Sequence, residues 1–189
     1  DATGHGLAAA ISVLPVLGAF YRGAAANLPV SALAADLNSM LCGLLPPGRF
    51  VAAALVRLEL GSKRGQLWVG GVPDVLQVDD EGRVVQRFVS SQLPLGILPS
   101  SEIVPRHEVF TWDAPCQIML CSDGLTEAEN ASGEPFGRAG LERALRGSPR
   151  GGRVNCLRQA LTRHLGQQPA GDDVSALLLD CAPKEARKG

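Results

Sequence analysis

Three short stretches of this chain set an aspartate close to a glycine next to an apolar element. They are Asp1-Ala2-Thr3-Gly4-His5-Gly6, then Ser122-Asp123-Gly124 after the run Gln117–Cys121, and Gly171-Asp172-Asp173 before the run Val174–Leu179. A carboxylate at the end of a buried strand is aimed off the sheet edge, and a neighbouring glycine lets the backbone turn without a Cβ clash. Taken singly, each stretch also reads as a hairpin turn or a helix cap. Three of them spread across one domain can converge on one point. Carboxylates gathered without Cys ligands suit hard divalent cations, Mg²⁺ or Mn²⁺, which keep several of their waters.

The segments between these turns must hold them in place. Leu7–Tyr21 is apolar nearly all round and reads as a buried helix kinked near Pro15. After a break at Gly23–Pro29, Val30–Leu45 repeats Leu33, Leu37, Met40, Leu41 and Leu44 at spacings of three and four. That predicts an amphipathic helix with Ser31 as N-cap, Asp36 and Asn38 on its polar face, and a stop before Pro46-Pro47-Gly48. Phe50–Leu60 and Gln66–Val69 predict strands around the Gly61–Gly65 turn, and Pro73–Val78 and Arg83–Phe88 predict a second hairpin. The acidic tip of that hairpin, Asp79-Asp80-Glu81-Gly82, reads as a solvated turn rather than a metal site, because Gly82 and the flanking alternation account for it. Ser90–Pro105 is a proline-containing loop, and His107–Trp112 with Gln117–Cys121 read as one more pair of strands. Gly137–Arg146 and Val154–Leu165 have helical spacing, and Val174–Leu179 is the closing strand. Helices, an antiparallel meander, helices and a strand in that order predict an α+β domain.

Composition narrows the function classes. The 189 residues are 46% apolar, enough for the core of one ordinary domain. A formal charge of −1 and 4% aromatic residues supply neither a basic stripe nor a stacking platform, so no nucleic-acid partner is expected. The cysteines Cys42, Cys116, Cys121, Cys156 and Cys181 form no CxxC pair, and most sit in apolar runs and read as buried thiols. An odd, scattered set fits a reducing compartment, so the expected location is cytoplasmic. Leu7–Phe20 is short, interrupted by Pro15 and Gly18 and without a basic leader, and is expected to be neither a signal peptide nor a membrane span.

Asp-x-Thr-Gly-His-Gly-Leu-x-Ala-Ala at residues 1–10 is followed by Ser-Asp-Gly-Leu-Thr-Glu-Ala at 122–128, with Gly133-Glu134-Pro135-Phe136-Gly137 close behind, and by Gly-Asp-Asp-Val-Ser at 171–175. In this order and at these separations they resemble the SpoIIE-type branch of the PP2C-like (PPM) metal-dependent serine/threonine phosphatases. The resemblance places one domain at residues 1–182 and leaves 183–189 as a charged tail. It implies an antiparallel β-sandwich flanked by helices, with two or more Mn²⁺ or Mg²⁺ ions at one end. Carried over residue by residue, Asp1 resembles the aspartate that bridges the metals, with the Ala2 carbonyl as an additional ligand. Asp123 and Asp172 resemble the further metal-binding aspartates, and Asp173 a residue that orients the last of them. His5 stands where the family often has His or Lys and is expected to pack beside the ligands.

Two departures stand out. The family usually has another aspartate on a strand upstream of the first motif, in a Gly-Gly-Asp context, so the first strands of the fold are expected upstream of Asp1. Val69-Gly70-Gly71-Val72-Pro73-Asp74 stands where the family often has Asn-Ala-Gly-His-Pro-Pro, which leaves substrate positioning without that His.

The implied activity is hydrolysis of phosphoserine or phosphothreonine on a phosphorylated anti-sigma-factor antagonist, by the output domain of a bacterial signalling protein with an upstream receiver or sensor domain. A homodimer is compatible with this reading. The rival is a phosphatase-like module that has lost turnover and binds a regulatory protein; three converging carboxylates favour the enzyme, since a scaffold has no need of them. A Mg²⁺-dependent nucleotide-binding enzyme is disfavoured by the lack of a Gly-x-x-x-x-Gly-Lys loop.

Overall fold

A computed structural model describes residues 1–3, 6–102 and 105–182, and for residues 6–13 the backbone alone. His5 and the tail 183–189 therefore lie outside the described residues. The chain falls into two compact units. The first comprises Asp1–Glu59, Arg64–Val72 and Ser90–Thr111, and the second Leu60–Lys63, Pro73–Val89 and Trp112–Gly189.

The first unit contains helices α1 (Gly6–Ala25) and α2 (Val30–Leu44) and strands β1 (Ala53–Glu59), β2 (Arg64–Gly70) and β5 (Glu108–Thr111). The strands form an antiparallel sheet in the order β1-β2-β5. The α2 stripe that the spacing predicts is its core: Leu33, Leu37 and Leu41 are buried with Val30 and Ala34 against Val51, Leu55, Trp68 and Leu95. Each such leucine taken out of water contributes about 2 kcal/mol, so the stripe together outweighs a cap worth about 1 kcal/mol. Two details of α2 differ from the expectation. Pro29, not Ser31, occupies the N-cap position, with no side-chain cap, so packing rather than capping sets where the helix starts. Asn38 is buried, not on a wet face: its amide donates to Leu98 O at 3.1 Å and Ser100 Oγ at 3.2 Å, and its Oδ1 accepts from Gly96 N at 2.9 Å. It anchors the long loop after β4.

Helix α1 runs through Pro15. It is not buried all round as its composition suggests. Val16 and Ala19 pack on the α2 core, while Leu14, Leu17, Phe20 and Tyr21 are exposed. Apolar composition requires only that some face be covered, and here one narrow face is. Among the described residues no helix is long and apolar enough to cross a membrane.

The second unit contains strands β3 (Val75–Asp79), β4 (Val84–Phe88), β6 (Cys116–Cys121) and β7 (Ala176–Asp180) and helices α3 (Asp123–Thr126), α4 (Gly137–Leu145) and α5 (Arg153–Leu165). Its antiparallel sheet has the order β4-β3-β6-β7. Leu76, Val78 and Met119 on one sheet face join Leu141 and Leu145 of α4 and Leu157 and Leu161 of α5 in a single core. The expected pairing of the two strands around residue 113 is not found. β5 pairs with β2 of the first unit, and β6 pairs with β3 and β7. Strand character is written locally, but a strand's partner is chosen by which apolar faces can be buried together.

The acidic hairpin tip is a turn, as expected, though not a purely solvated one. Arg83 closes it on Asp79, with N–H to Oδ1 at 2.8 Å and Nε to Oδ2 at 2.7 Å. From the helix side, the wholly buried Arg153 donates to the Asp79 carbonyl, to Asp80 O at 3.0 Å and to Gln117 Oε1 at 2.7 Å. Burial first, and then the Arg150 charge, pull the Arg153 pKa down, yet a guanidinium remains protonated. Arg150 itself lies 3.0 Å from Asp80 and 3.6 Å from Asp180, close by charge but without aligned hydrogen bonds. Gly82 has φ +78°, and a Cβ there would overlap the Leu145 carbonyl, so the tip seats directly on the end of α4.

Candidate metal centre

Strand β6 delivers the central motif. Its first four residues are buried, and Leu120 through Asp123 are partly exposed. Ser122 is extended at φ −75°, ψ 162°, and Asp123 then starts the single turn of α3. Asp123 O accepts from Glu127 N at 2.8 Å and from Thr126 Oγ1 at 3.1 Å, so the motif closes on itself. One carboxylate oxygen, Oδ1, accepts from Gly124 N at 2.8 Å. Asp172, in the turn before β7, is held the same way, its Oδ1 accepting from Asp173 N at 2.7 Å. Among the described residues the second oxygen of each carboxylate takes no hydrogen bond, which leaves it available to a cation.

These two turns are brought together, and two residues do it. Ser122 Oγ donates to Asp173 O at 3.0 Å and accepts from Ser175 N at 2.9 Å, while Ser122 N donates to Ser175 O at 3.0 Å. Gly124 supplies the closeness. A Cβ on it would overlap Asp173 O and lie 3.4 Å from the Asp172 carbonyl carbon. Gly124 does not have the positive φ that a sharp turn would require, so the reason for glycine here is the approach of the second turn, not the bend of the first.

A cavity of about 480 Å³ opens beside the pair, lined by Gly124, Glu127, Glu129, Asn130, Gln168 and Asp172 among others. One wall is the loop after α3, shaped by Asn130 Oδ1, which accepts from Ser132 N at 2.9 Å and Glu134 N at 3.0 Å. His164 of α5 fastens that loop: its Nε2–H donates to Ala128 O at 3.2 Å and Glu134 O at 3.0 Å, and its ring meets Phe136 edge-on at 5.4 Å. Nothing in the sequence marks His164 for this, since its contacts are to backbone carbonyls some thirty residues away.

Asp1 belongs to the first unit. Its backbone nitrogen donates to Ala52 O at 2.8 Å, Ala2 bridges to Val51, and Thr3 exchanges hydrogen bonds with Phe50, so the first turn is docked along the segment leading into β1. Among the described residues no three His, Cys, Asp or Glu side chains form a ready ligand cluster. The donor set is nevertheless of one kind. The Asp123 and Asp172 turns present carboxylate oxygens, a hard donor set that fits Mg²⁺ or Mn²⁺.

A family model described as "Stage II sporulation protein E (SpoIIE)" matches residues 1–182. The chain belongs to the SpoIIE family. A comparison with curated proteins finds no significant match. Among solved structures, this SpoIIE-family chain is similar to the SiaA-PP2C domain of Pseudomonas aeruginosa, with a TM-score of 0.79 and 19% identity over 94% of this chain and 72% of that one. The RsbU and RsbW domains of Rv1364c from Mycobacterium tuberculosis match with a TM-score of 0.78 and 21% identity, over 98% of this chain and 52% of that one. The PP2C phosphatase domain and regulatory fragment of SpoIIE from Bacillus subtilis match with a TM-score of 0.77 and 16% identity, over 94% and 52%. The chain thus spans about half the length of the latter two. The catalytic domain of the phosphatase PstP, solved in complex with two manganese ions, matches with a TM-score of 0.64 and 14% identity over 94% and 84%. The fold of this SpoIIE-family domain is therefore that of the PP2C-type serine/threonine phosphatases, with helices and two antiparallel sheets as the expected α+β class requires.

Proposed function

We propose that residues 1–182 are the catalytic domain of a metal-dependent phosphatase, and that it hydrolyses phosphoserine or phosphothreonine on a regulatory protein of the anti-sigma-factor-antagonist kind. In this reading the domain is the output of a cytoplasmic bacterial signalling protein. The observation that carries it is the junction of the Asp123 and Asp172 turns through Ser122 and over Gly124, within a SpoIIE-family chain. Asp123 and Asp172 are proposed as ligands, completed by Asp1 and the Ala2 carbonyl, with Asp173 orienting Asp172 through its amide. His5 is proposed to pack beside them.

Ions held there activate water and neutralise phosphoryl oxygens, which is what the slow hydrolysis of a phosphate monoester demands. The chain's own part is to hold the carboxylates rigidly and to offer an open cavity. At about 480 Å³ it is wide enough for a phosphorylated side chain and open enough to admit one borne on a folded protein. RsbX solved with magnesium and PstP solved with manganese support the choice of metals.

One observation favours the rival reading of a module that binds without turnover. Val72 stands where a His is expected, and Asp74, two residues on, is ion-paired with Arg138 at 2.8 Å and with Arg87 at 3.7 Å. The two readings separate in one assay. The protein is offered a phosphorylated antagonist with Mn²⁺, with Mg²⁺ and with excess chelator, beside its Asp123→Asn variant. Phosphate release that needs the metal and falls at least about 100-fold in the variant supports the enzyme. Full activity in chelator, or an active Asp123→Asn, refutes the metal mechanism, and inactivity with every metal favours the binding module.

A further inference from the structure

We infer that Cys116 and Cys181 are an oxidation site: a cross-strand pair of thiols that a peroxide converts to a disulfide, fastening β7 to β6. The inference does not rest on the proposed activity. Cys116 opens β6, and Cys181 directly follows β7. The two strands are in register with Gln117 opposite Asp180, so the next step outward sets Cys116 opposite Cys181, and Cys181 N donates to Cys116 O at 2.9 Å. Opposed residues of such a hydrogen-bonded pair have Cα atoms about 5.5 Å apart and side chains on the same sheet face. That spacing lies inside the range of about 4.4–6.8 Å that a disulfide spans. The two thiols interact, each shifting the ionisation of the other.

The surroundings divide the roles. Gln77 Nε2 also donates to Cys116 Sγ, at 3.4 Å. The Cys181 hydrogen bond outweighs burial, and with Gln77 and the Arg150 charge it lowers the Cys116 thiol to about 7, while the same contact and burial push Cys181 up. Cys116 is thus the attacking sulfur. Both side chains are buried, at 3% and 1% exposure. They sit at strand ends, and Asp113, Ala114 and Pro115 just before Cys116 are exposed, so fraying of this end admits a small oxidant.

The chemistry balances with a peroxide as oxidant. The Cys116 thiolate attacks one oxygen of hydrogen peroxide, the O–O bond breaks, and hydroxide leaves a sulfenic acid. The Cys181 sulfur then attacks the Cys116 sulfur, the S–O bond breaks, and the departing hydroxide takes the Cys181 proton as water. Each sulfur gives up one electron, and two thiols and one peroxide become one disulfide and two waters.

The test uses the full chain. It is treated with hydrogen peroxide, its remaining thiols are blocked under denaturing conditions, and its peptides are mapped by mass spectrometry. The expected result is a linked Cys116–Cys181 peptide lighter by two hydrogens, a fall from five titratable thiols to three, and reversal by dithiothreitol. Oxidation should also raise the Tm by about 9–17 °C, as closing a loop of this length predicts. Cys116→Ser and Cys181→Ser should each abolish the link. Wild-type protein that keeps all five thiols, or that oxidises at Cys42, Cys121 or Cys156 while this pair stays reduced, overturns the inference, and neither readout depends on the variants folding.

Discussion

The Ser122 hydroxyl donates to the Asp173 carbonyl at 3.0 Å, across 51 residues of sequence, and in doing so ties the turn of Asp123 to the turn of Asp172. The same oxygen accepts from Ser175 N, so it is saturated in both directions. Ser122→Ala removes both bonds and leaves a backbone donor and acceptor to find water. With Asp123 and Asp172 as ligands, Mn²⁺ affinity measured by calorimetry should fall about 10-fold or more, as loss of a residue that orients ligands typically does. Ser122→Thr, which keeps the hydroxyl, should restore most of it. Unchanged affinity in the alanine variant would mean that the two turns hold their spacing without this bond.

Gly124→Ala sets two effects against each other. Alanine in a helical turn gains up to about 1 kcal/mol over glycine. The new Cβ, however, overlaps Asp173 O, a backbone atom whose displacement would carry the Asp172 turn with it. Overpacking of this kind costs about 1–3 kcal/mol, so the loss should win. A lower urea midpoint together with weaker Mn²⁺ binding is the expected outcome, and a stabilised variant would show that the second turn is free to move away.

Arg153 joins three segments of the second unit by bonds to Asp79 O, Asp80 O and Gln117 Oε1. Arg153→Ala leaves those acceptors buried beside a void, and should cost about 3 kcal/mol or more in urea unfolding. Arg153→Lys should recover only part of this, since an ammonium cannot reproduce the fork. Equal stability of wild type and the alanine variant would exclude a structural role for the guanidinium.

Asp79 supplies a pH signature. Burial pushes its carboxyl up, but the hydrogen bonds and charge of Arg83 outweigh this, and its pKa lies below the ordinary 3.8. A carboxyl depressed in the folded state stabilises the protein above the unfolded value, and that contribution disappears as pH falls through the folded value. Asp79→Asn should therefore be less stable than wild type at pH 7, with the gap closing in acid below the ordinary value. Urea midpoints at neutral and acid pH read this directly; a gap that is the same at both ends would assign the effect of the substitution to the backbone turn.

The turns of Asp123 and Asp172, the α2 stripe and the succession of strands are legible in the sequence because each depends on neighbours a few residues away. Leu33, Leu37 and Leu41 recur at helical spacing, and all three are buried. The SpoIIE family could be read the same way, from the residues around Asp1, Asp123 and Asp172, and the family model over residues 1–182 agrees.

What only the tertiary structure decided is which distant segments meet. The apolar run of α1 gives no sign that Leu14, Leu17 and Tyr21 stay exposed, because composition does not say how wide a face the fold will cover. Strand β5 looks like a partner for β6 and instead pairs with β2. Asn38 looks like surface and is a buried anchor, and Cys116 and Cys181 look like two unrelated core thiols. Gly124 is glycine because of Asp173, a residue that is its neighbour only after folding. Local steric preference sets what each segment becomes; burial of apolar faces and satisfaction of polar groups across the whole chain set which segments touch.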